Sequence, residues 1–169
     1  MTTAKPTAVL EDAERTAVVR QLYISRGHNF FGHHGRAPGS HPMLEVREIE
    51  CVQGRGIRGD RFFDHRSHYR GQITFFSMEV YDFLCQALSV WDRGPQTFRR
   101  NAILQGVDLN DLIGAEFRLQ GIAFRGIEEC RPCAWMNQAF APGAEELMRG
   151  HGGLRAEILS DGVLRTDCL

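Results

Sequence analysis

The sequence predicts a mostly β fold, barrel-like, with a few peripheral helices. Three observations lead there. Segments with apolar residues on every second position outnumber helical patches. No strand-helix period repeats along the 169 residues, which disfavours a doubly wound parallel sheet. Turn chemistry at Gly121 and at Asp161-Gly162 separates short strands.

Taken in order, Met1 to Arg15 is polar and Ala/Thr/Glu-rich and predicts a frayed tail or short surface helix, which leaves residues 16–169 as one domain. Ala17 to Ile24 is β-branched and apolar and predicts a first strand. Met43 to Val52 predicts a second strand, but its alternation changes phase, so a bulge or bend is expected near Arg47 and Glu48. Between them lies a long Gly/His/Pro-rich loop, Gly27 to Pro42, whose His28, His33, His34 and His41 are expected on the surface. A second Gly-rich loop follows, Gln53 to Arg70, and its aromatic-basic run Phe62 to Arg70 suits a substrate-side loop.

Gly71 to Phe76 predicts a strand, and Ser77 caps a helix whose apolar stripe is Val80, Phe83, Leu84 and Leu88. Past the Arg93-Gly94-Pro95 turn, Phe98 to Leu104 is expected to return to extended structure. Ala115 to Leu119 and Ile122 to Ile127 form a hairpin about Gly121. Ala134 to Phe140 and Gly143 to Arg149 predict short helices, and Leu154 to Leu159 turns at Asp161-Gly162 into a last strand, Val163 to Arg165.

Composition narrows the function. Twenty Lys plus Arg against 21 Asp plus Glu gives a net charge of -1, which favours neither nucleic acid nor an anionic membrane, so an anion must be held by a local cluster. Lys5 is the only lysine and the other nineteen are arginine, the side chain that grips phosphate or carboxylate with two parallel hydrogen bonds, although a GC-rich genome accounts for the same bias. No apolar run nears the roughly 20 residues of a membrane span, and the opening residues lack a secretory pattern, so a cytoplasmic location is expected. Five dispersed cysteines, Cys51, Cys85, Cys130, Cys133 and Cys168, are expected mostly as thiols.

The sharpest chemical feature is Cys130-Arg131-Pro132-Cys133, between a strand and a helix start. A cysteine at a first helical turn gains thiolate stability from unpaired amides, and Arg131 adds positive charge, so Cys133 is expected to ionise near neutral pH. Such a thiolate exchanges disulfides with Cys130, binds zinc, or ligates a softer metal centre. Two small buried residues beside a turn are the structural alternative.

Read outward from this pair, the order Gly56-Ile57-Arg58-Gly59-Asp60-Arg61-Phe62, Gln72-Ile73-Thr74, Phe98-Arg99-Arg100-Asn101, Gly106-Val107-Asp108-Leu109 with Leu112-Ile113-Gly114, then Cys130-Arg131-Pro132-Cys133 resembles the MOSC family. The resemblance implies a β-barrel-like fold carrying a molybdenum cofactor (molybdopterin) that recombinant protein can lack. It implies Cys133 as the molybdenum ligand and catalytic residue, with Cys130 and Arg131 beside the cofactor. It implies Arg61 as a cofactor anchor oriented by Asp60, and Arg99 and Asn101 as contacts to the pterin or its phosphate. Glycines 54, 56 and 59 would let backbone come close to the ligand. Relatives usually continue past the last strand, and Cys168 has no assigned role.

The activity implied is reduction of an N-hydroxylated or similar small-molecule substrate, with a separate electron-donor reductase as partner. Two alternatives stay open. A sulfur-carrier or cofactor-delivery module would hold a Cys133 persulfide, fed by a sulfur donor, without turnover. A dithiol redox protein would cycle Cys130 and Cys133.

Overall fold

A computed structural model describes residues 16–29 and 39–168. The expected tail, together with His33 and His34, lies outside these residues.

The strands are β1 (Val18–Ile24), β2 (Leu44–Val46), β3 (Glu48–Val52), β4 (Gly56–Ile57), β5 (Ile73–Ser77), β6 (Ala102–Gln105), β7 (Glu116–Leu119), β8 (Ile122–Glu129), β9 (Leu154–Ile158) and β10 (Gly162–Arg165). Helices α1 (Met78–Leu88), α2 (Trp135–Ala139) and α3 (Ala144–Leu147) accompany them. The mostly β class predicted from alternation therefore holds. Seven strands form one mixed sheet in the order β2-β1-β6-β5-β9-β8-β7, and three form a second sheet, β10-β3-β4. Barrel closure is not made, because the large sheet ends at β2 and β7. The β5–β6 pairing is its parallel one; the others are antiparallel.

The phase change near Arg47 is a break between two strands that join different sheets. Its consequence is that β3 crosses to pair with β10, Cys51 opposite Gly162. The Asp161-Gly162 turn thus leads β9 out of the large sheet rather than back along itself. Phe98 to Leu104 is the segment where structure and expectation differ most. Pro95–Phe98 winds into a 3₁₀ turn, Arg99 takes a left-handed φ of 56°, and strand begins only at Ala102. Pro95 at the start of the turn favours that winding.

The period of two divides side chains between two cores. On one face, Val19, Leu22, Phe75, Ala102, Leu104, Phe117 and Phe124 meet Ile49, Cys51, Ile57 and Leu164 of the small sheet. On the other, Tyr23, Phe76 and Ile103 pack against Leu84 of α1, Met136 of α2 and Ala144 of α3, with Phe98 and Phe140. Each fully buried large apolar side chain here contributes about 1.5–3 kcal/mol. Helix α1 starts as its sequence predicts: Ser77 is extended and its Oγ accepts a hydrogen bond from the Val80 amide at 3.2 Å.

Candidate functional site

Loops at 25–29, 61–71, 97–100 and 130–136 converge on one cleft with a volume of about 240 Å³. Cys130, Arg131, Cys133, Arg61 and Arg99 all line it. The cysteines differ sharply: Cys130 is 3% exposed, whereas Cys133 is exposed, and no disulfide joins them. Cys133 lies one residue ahead of the Ala134 cap of the short α2 and accepts the Met136 amide through its carbonyl at 2.9 Å.

The cysteine loop is braced from below by Arg100. Its Nη2 donates to the Cys130 carbonyl at 3.1 Å and to the Gly152 carbonyl at 2.9 Å, and its Nη1 donates to the Phe98 carbonyl at 2.6 Å. Gly152 fits closely: a Cβ there would stand 2.2 Å from the Cys130 oxygen and 3.0 Å from Pro132. Gly152→Ala is therefore expected to cost about 1–3 kcal/mol by overpacking and to displace the cysteine loop. Denaturant unfolding and the rate of Cys133 alkylation measure the two effects.

Asp60 organises the opposite side. Its buried carboxylate accepts from the Ser25 amide (2.9 Å), the Phe62 amide (3.1 Å), Asn101 Nδ2 (3.3 Å) and Arg61 Nη1 (3.4 Å). Arg61 is held over the Phe62 ring, 4.8 Å from its centroid, with its side chain 9% exposed. Asp60 thus orients Arg61, as the sequence suggests. Arg99 reaches across from its left-handed turn, Nη1 donating to the His41 carbonyl at 3.2 Å and Nη2 to Ser25 Oγ at 3.4 Å.

Asn101 sits elsewhere than expected. It is 2% exposed and does not line the cleft. Its Oδ1 accepts from the Thr74 amide (3.1 Å) and hydroxyl (2.9 Å), and its Nδ2 donates to the Tyr23 carbonyl (3.2 Å) and Asp60. These bonds occupy the amide, so Asn101 supports Asp60 from beneath instead of contacting a ligand. Glycines 54, 56 and 59 also stay off the cleft; their φ values of 70°, 113° and 84° show that they serve turns. The surface expectation for His28 is corrected too, because it lines the cleft against Phe62 with ring centroids 4.8 Å apart.

Sequence reasoning missed Arg100, Ser25 and His28. Arg100 was hidden in an Arg-Arg-Asn run, and nothing marked Ser25 or singled out His28 among four loop histidines. Phe62 and Tyr69 of the aromatic-basic run do line the cleft.

Electrostatics favour an anion. Burial and the neighbouring Arg61 charge press the Arg99 guanidinium down to about 10, with Asp60 opposing. Burial also lowers Arg61, and burial, Arg61 and His65 lower His28. A lowered value on a base means that its charged form is undercompensated, and an entering anion relieves this. Inorganic phosphate should therefore raise the melting temperature, with about 2.7 kcal/mol gained at a hundredfold excess over Kd. The gain should fade as pH rises through the Arg99 value and should be lost in Arg99→Gln, as thermal unfolding with and without phosphate measures.

Among the described residues no three His, Cys, Asp or Glu side chains gather as a metal cage. One exposed thiol shares the cleft with the Arg61 guanidinium, 9% exposed, and the half-buried Arg99. That chemistry fits a metal that brings most of its own ligands on an anionic organic cofactor. No helix among the described residues is long and apolar enough to cross a membrane.

A family model described as the MOSC domain matches residues 60–167, a span that holds Arg61, Arg99, Cys130 and Cys133. Among solved structures the chain is similar to the YuaD protein from Bacillus subtilis, with a TM-score of 0.68 and 19% identity over 89% of this chain and 92% of that one. It is similar to YiiM from Geobacillus stearothermophilus, with a TM-score of 0.61 and 14% identity over 88% of this chain and 71% of that one. YiiM from Escherichia coli follows, with a TM-score of 0.56 and 17% identity over 86% and 66%. At these identities the likeness establishes the fold. No curated protein sequence matches the chain.

Proposed function

The chain belongs to the MOSC domain family, and on that premise we propose that it is a molybdenum-cofactor-dependent reductase of small N-hydroxylated compounds. The observation that carries the proposal is the shared cleft: the Cys133 thiol is exposed in the same basin as the undercompensated Arg61 and Arg99. When bound, the cofactor supplies two-electron oxygen-atom exchange. The chain's own residues do the rest. Cys133 would provide a sulfur ligand to the metal. Arg61 and Arg99 would hold the anionic end, and Asp60 fixes Arg61 while Asn101 and Ser25 fix Asp60. Cys130, buried and pinned by Arg100, sets the height of the loop.

Reduction of a hydroxylamine to an amine and water consumes two electrons and two protons. The electrons come from a separate reductase, the partner this reading requires. Burial and the nearby Arg61 charge lower His28 from its ordinary value, which favours the neutral imidazole as a proton relay within the cleft.

The test is turnover. Protein produced in a host that makes molybdopterin is mixed with an N-hydroxylated substrate and an artificial low-potential electron donor. Amine formation supports the reductase. Bound metal without turnover marks a carrier, and metal-free protein whose two thiols reduce a disulfide marks a dithiol redox protein.

A further inference from the structure

Three consecutive residues serve three separate parts of the cleft. Arg99 turns to the side where, with Arg61, it would meet an anion, and donates there to the His41 and Gly27 carbonyls and to Ser25 Oγ. Asn101 turns down to Asp60 and through it to Arg61. Arg100, between them, turns to the cysteine loop. The backbone that carries all three is held on both sides. The Arg99 amide donates to the Gln96 carbonyl at 3.0 Å, the Asn101 amide to the Thr74 carbonyl at 2.9 Å, and the Asn101 carbonyl accepts from the Tyr23 amide at 2.7 Å.

The Arg100 guanidinium directs four hydrogen bonds to three main-chain carbonyls. Phe98 belongs to its own turn and Cys130 to the cysteine loop, while Gly152 accepts twice, from Nε at 3.1 Å and from Nη2 at 2.9 Å. Cross-ties close the far side: the Cys130 amide donates to the Gly153 carbonyl at 2.8 Å, and the Gly152 amide to Glu129 Oε1 at 3.0 Å. There is little slack, since a Cβ at Gly153 would stand 2.2 Å from the Phe75 oxygen and 3.4 Å from Arg100 Nε. A rigid planar fork set in such a frame cannot slide without leaving a carbonyl unmet, so a constraint on the 97–100 turn reaches the loop that presents Cys133.

We propose that Arg100 is a positioning residue that couples the anion-binding pair to the thiol: an anion gripped by Arg61 and Arg99 fixes the 97–100 turn, and Arg100 passes that constraint to the loop of Cys133. That the anion is one end of a cofactor whose metal meets Cys133 rests on the function proposed above; the coupling itself rests on the hydrogen bonds of Arg100.

The experiment is the rate at which neutral iodoacetamide alkylates Cys133 in the full chain without added cofactor, with and without inorganic phosphate, followed by peptide mass spectrometry. Cys168, exposed and outside the cleft, is the internal reference. Saturating phosphate should slow Cys133 relative to Cys168 by about fivefold, the lower end of ordinary coupling between sites. Arg100→Gln keeps Arg61 and Arg99, so phosphate should still raise its melting temperature, yet its Cys133 should react equally fast with and without phosphate. Each variant is compared with itself, and a looser fold alone does not move that ratio. Arg100→Lys keeps the charge without the fork; it should lose most of the protection and carries the test if Arg100→Gln does not fold. Protection that survives in full in either variant means that the anion merely shields the sulfur, and it overturns the proposal. So does a wild-type rate indifferent to phosphate, or an Arg100→Gln protein that no longer binds phosphate at all. Coupling in a chain that takes up no molybdenum sinks the cofactor reading alone, whereas molybdenum uptake with phosphate-independent alkylation sinks this inference alone.

Discussion

Cys133→Ser is expected to lower reductase turnover by more than about 100-fold, since even partners that merely orient metal ligands cost 10–100-fold when removed. The fold should be untouched, because the Cys133 side chain is exposed and the loop is held through main-chain carbonyls and Arg100. Cys130→Ser should behave in the opposite way. Placing a hydroxyl at a site 3% exposed costs about 1–3 kcal/mol of stability, yet the sulfur facing the basin remains. Turnover and denaturant midpoints measured on both variants separate the two roles. A dithiol mechanism would lose activity equally with either cysteine.

The second large effect belongs to Asp60. Its carboxylate takes hydrogen bonds from two backbone amides, Asn101 and Arg61, with the Asp60 and Arg61 side chains 2% and 9% exposed. Asp60→Ala leaves the buried Arg61 guanidinium without its counter-charge, with only Met43 Sδ and the Phe62 ring beside it, and breaking such a pair costs about 3–5 kcal/mol. Asp60→Asn keeps the shape but loses the charge, so it should fall between wild type and Asp60→Ala in urea unfolding. Both should weaken phosphate binding, because Arg61 loses its anchor. If Asp60→Ala unfolds at the wild-type urea concentration, the network described around Asp60 does not hold the site.

Much of this was legible from local pattern. The β7–β8 hairpin shows because Phe117, Leu119, Ile122 and Phe124 alternate about a glycine turn, and burial follows that alternation. Helix α1 shows because Ser77 announces its start. What escaped was set at long range or by backbone detail. The partner of β10 is β3, more than a hundred residues earlier, and no local signal encodes that pairing. Arg99 adopts a left-handed turn that a residue with a Cβ rarely shows, so the segment read as strand.

The site divides in the same way. Cys133, Arg61 and Arg99 stood out because their chemistry has few other uses in such an order of motifs. Asn101 was misplaced because a polar residue inside a ligand-binding pattern looks the same whether it touches the ligand or the residue beneath it. Only the burial of its amide under Asp60 tells the two apart.

The most direct test of the central claim is elemental analysis of the chain purified from a host that makes molybdopterin, beside Cys133→Ser and Cys130→Ser prepared in parallel. The account expects close to one molybdenum per chain in the wild type and in Cys130→Ser, and a loss of the metal in Cys133→Ser. Wild-type protein free of molybdenum, or Cys133→Ser that retains it in full, would contradict the assignment of that sulfur.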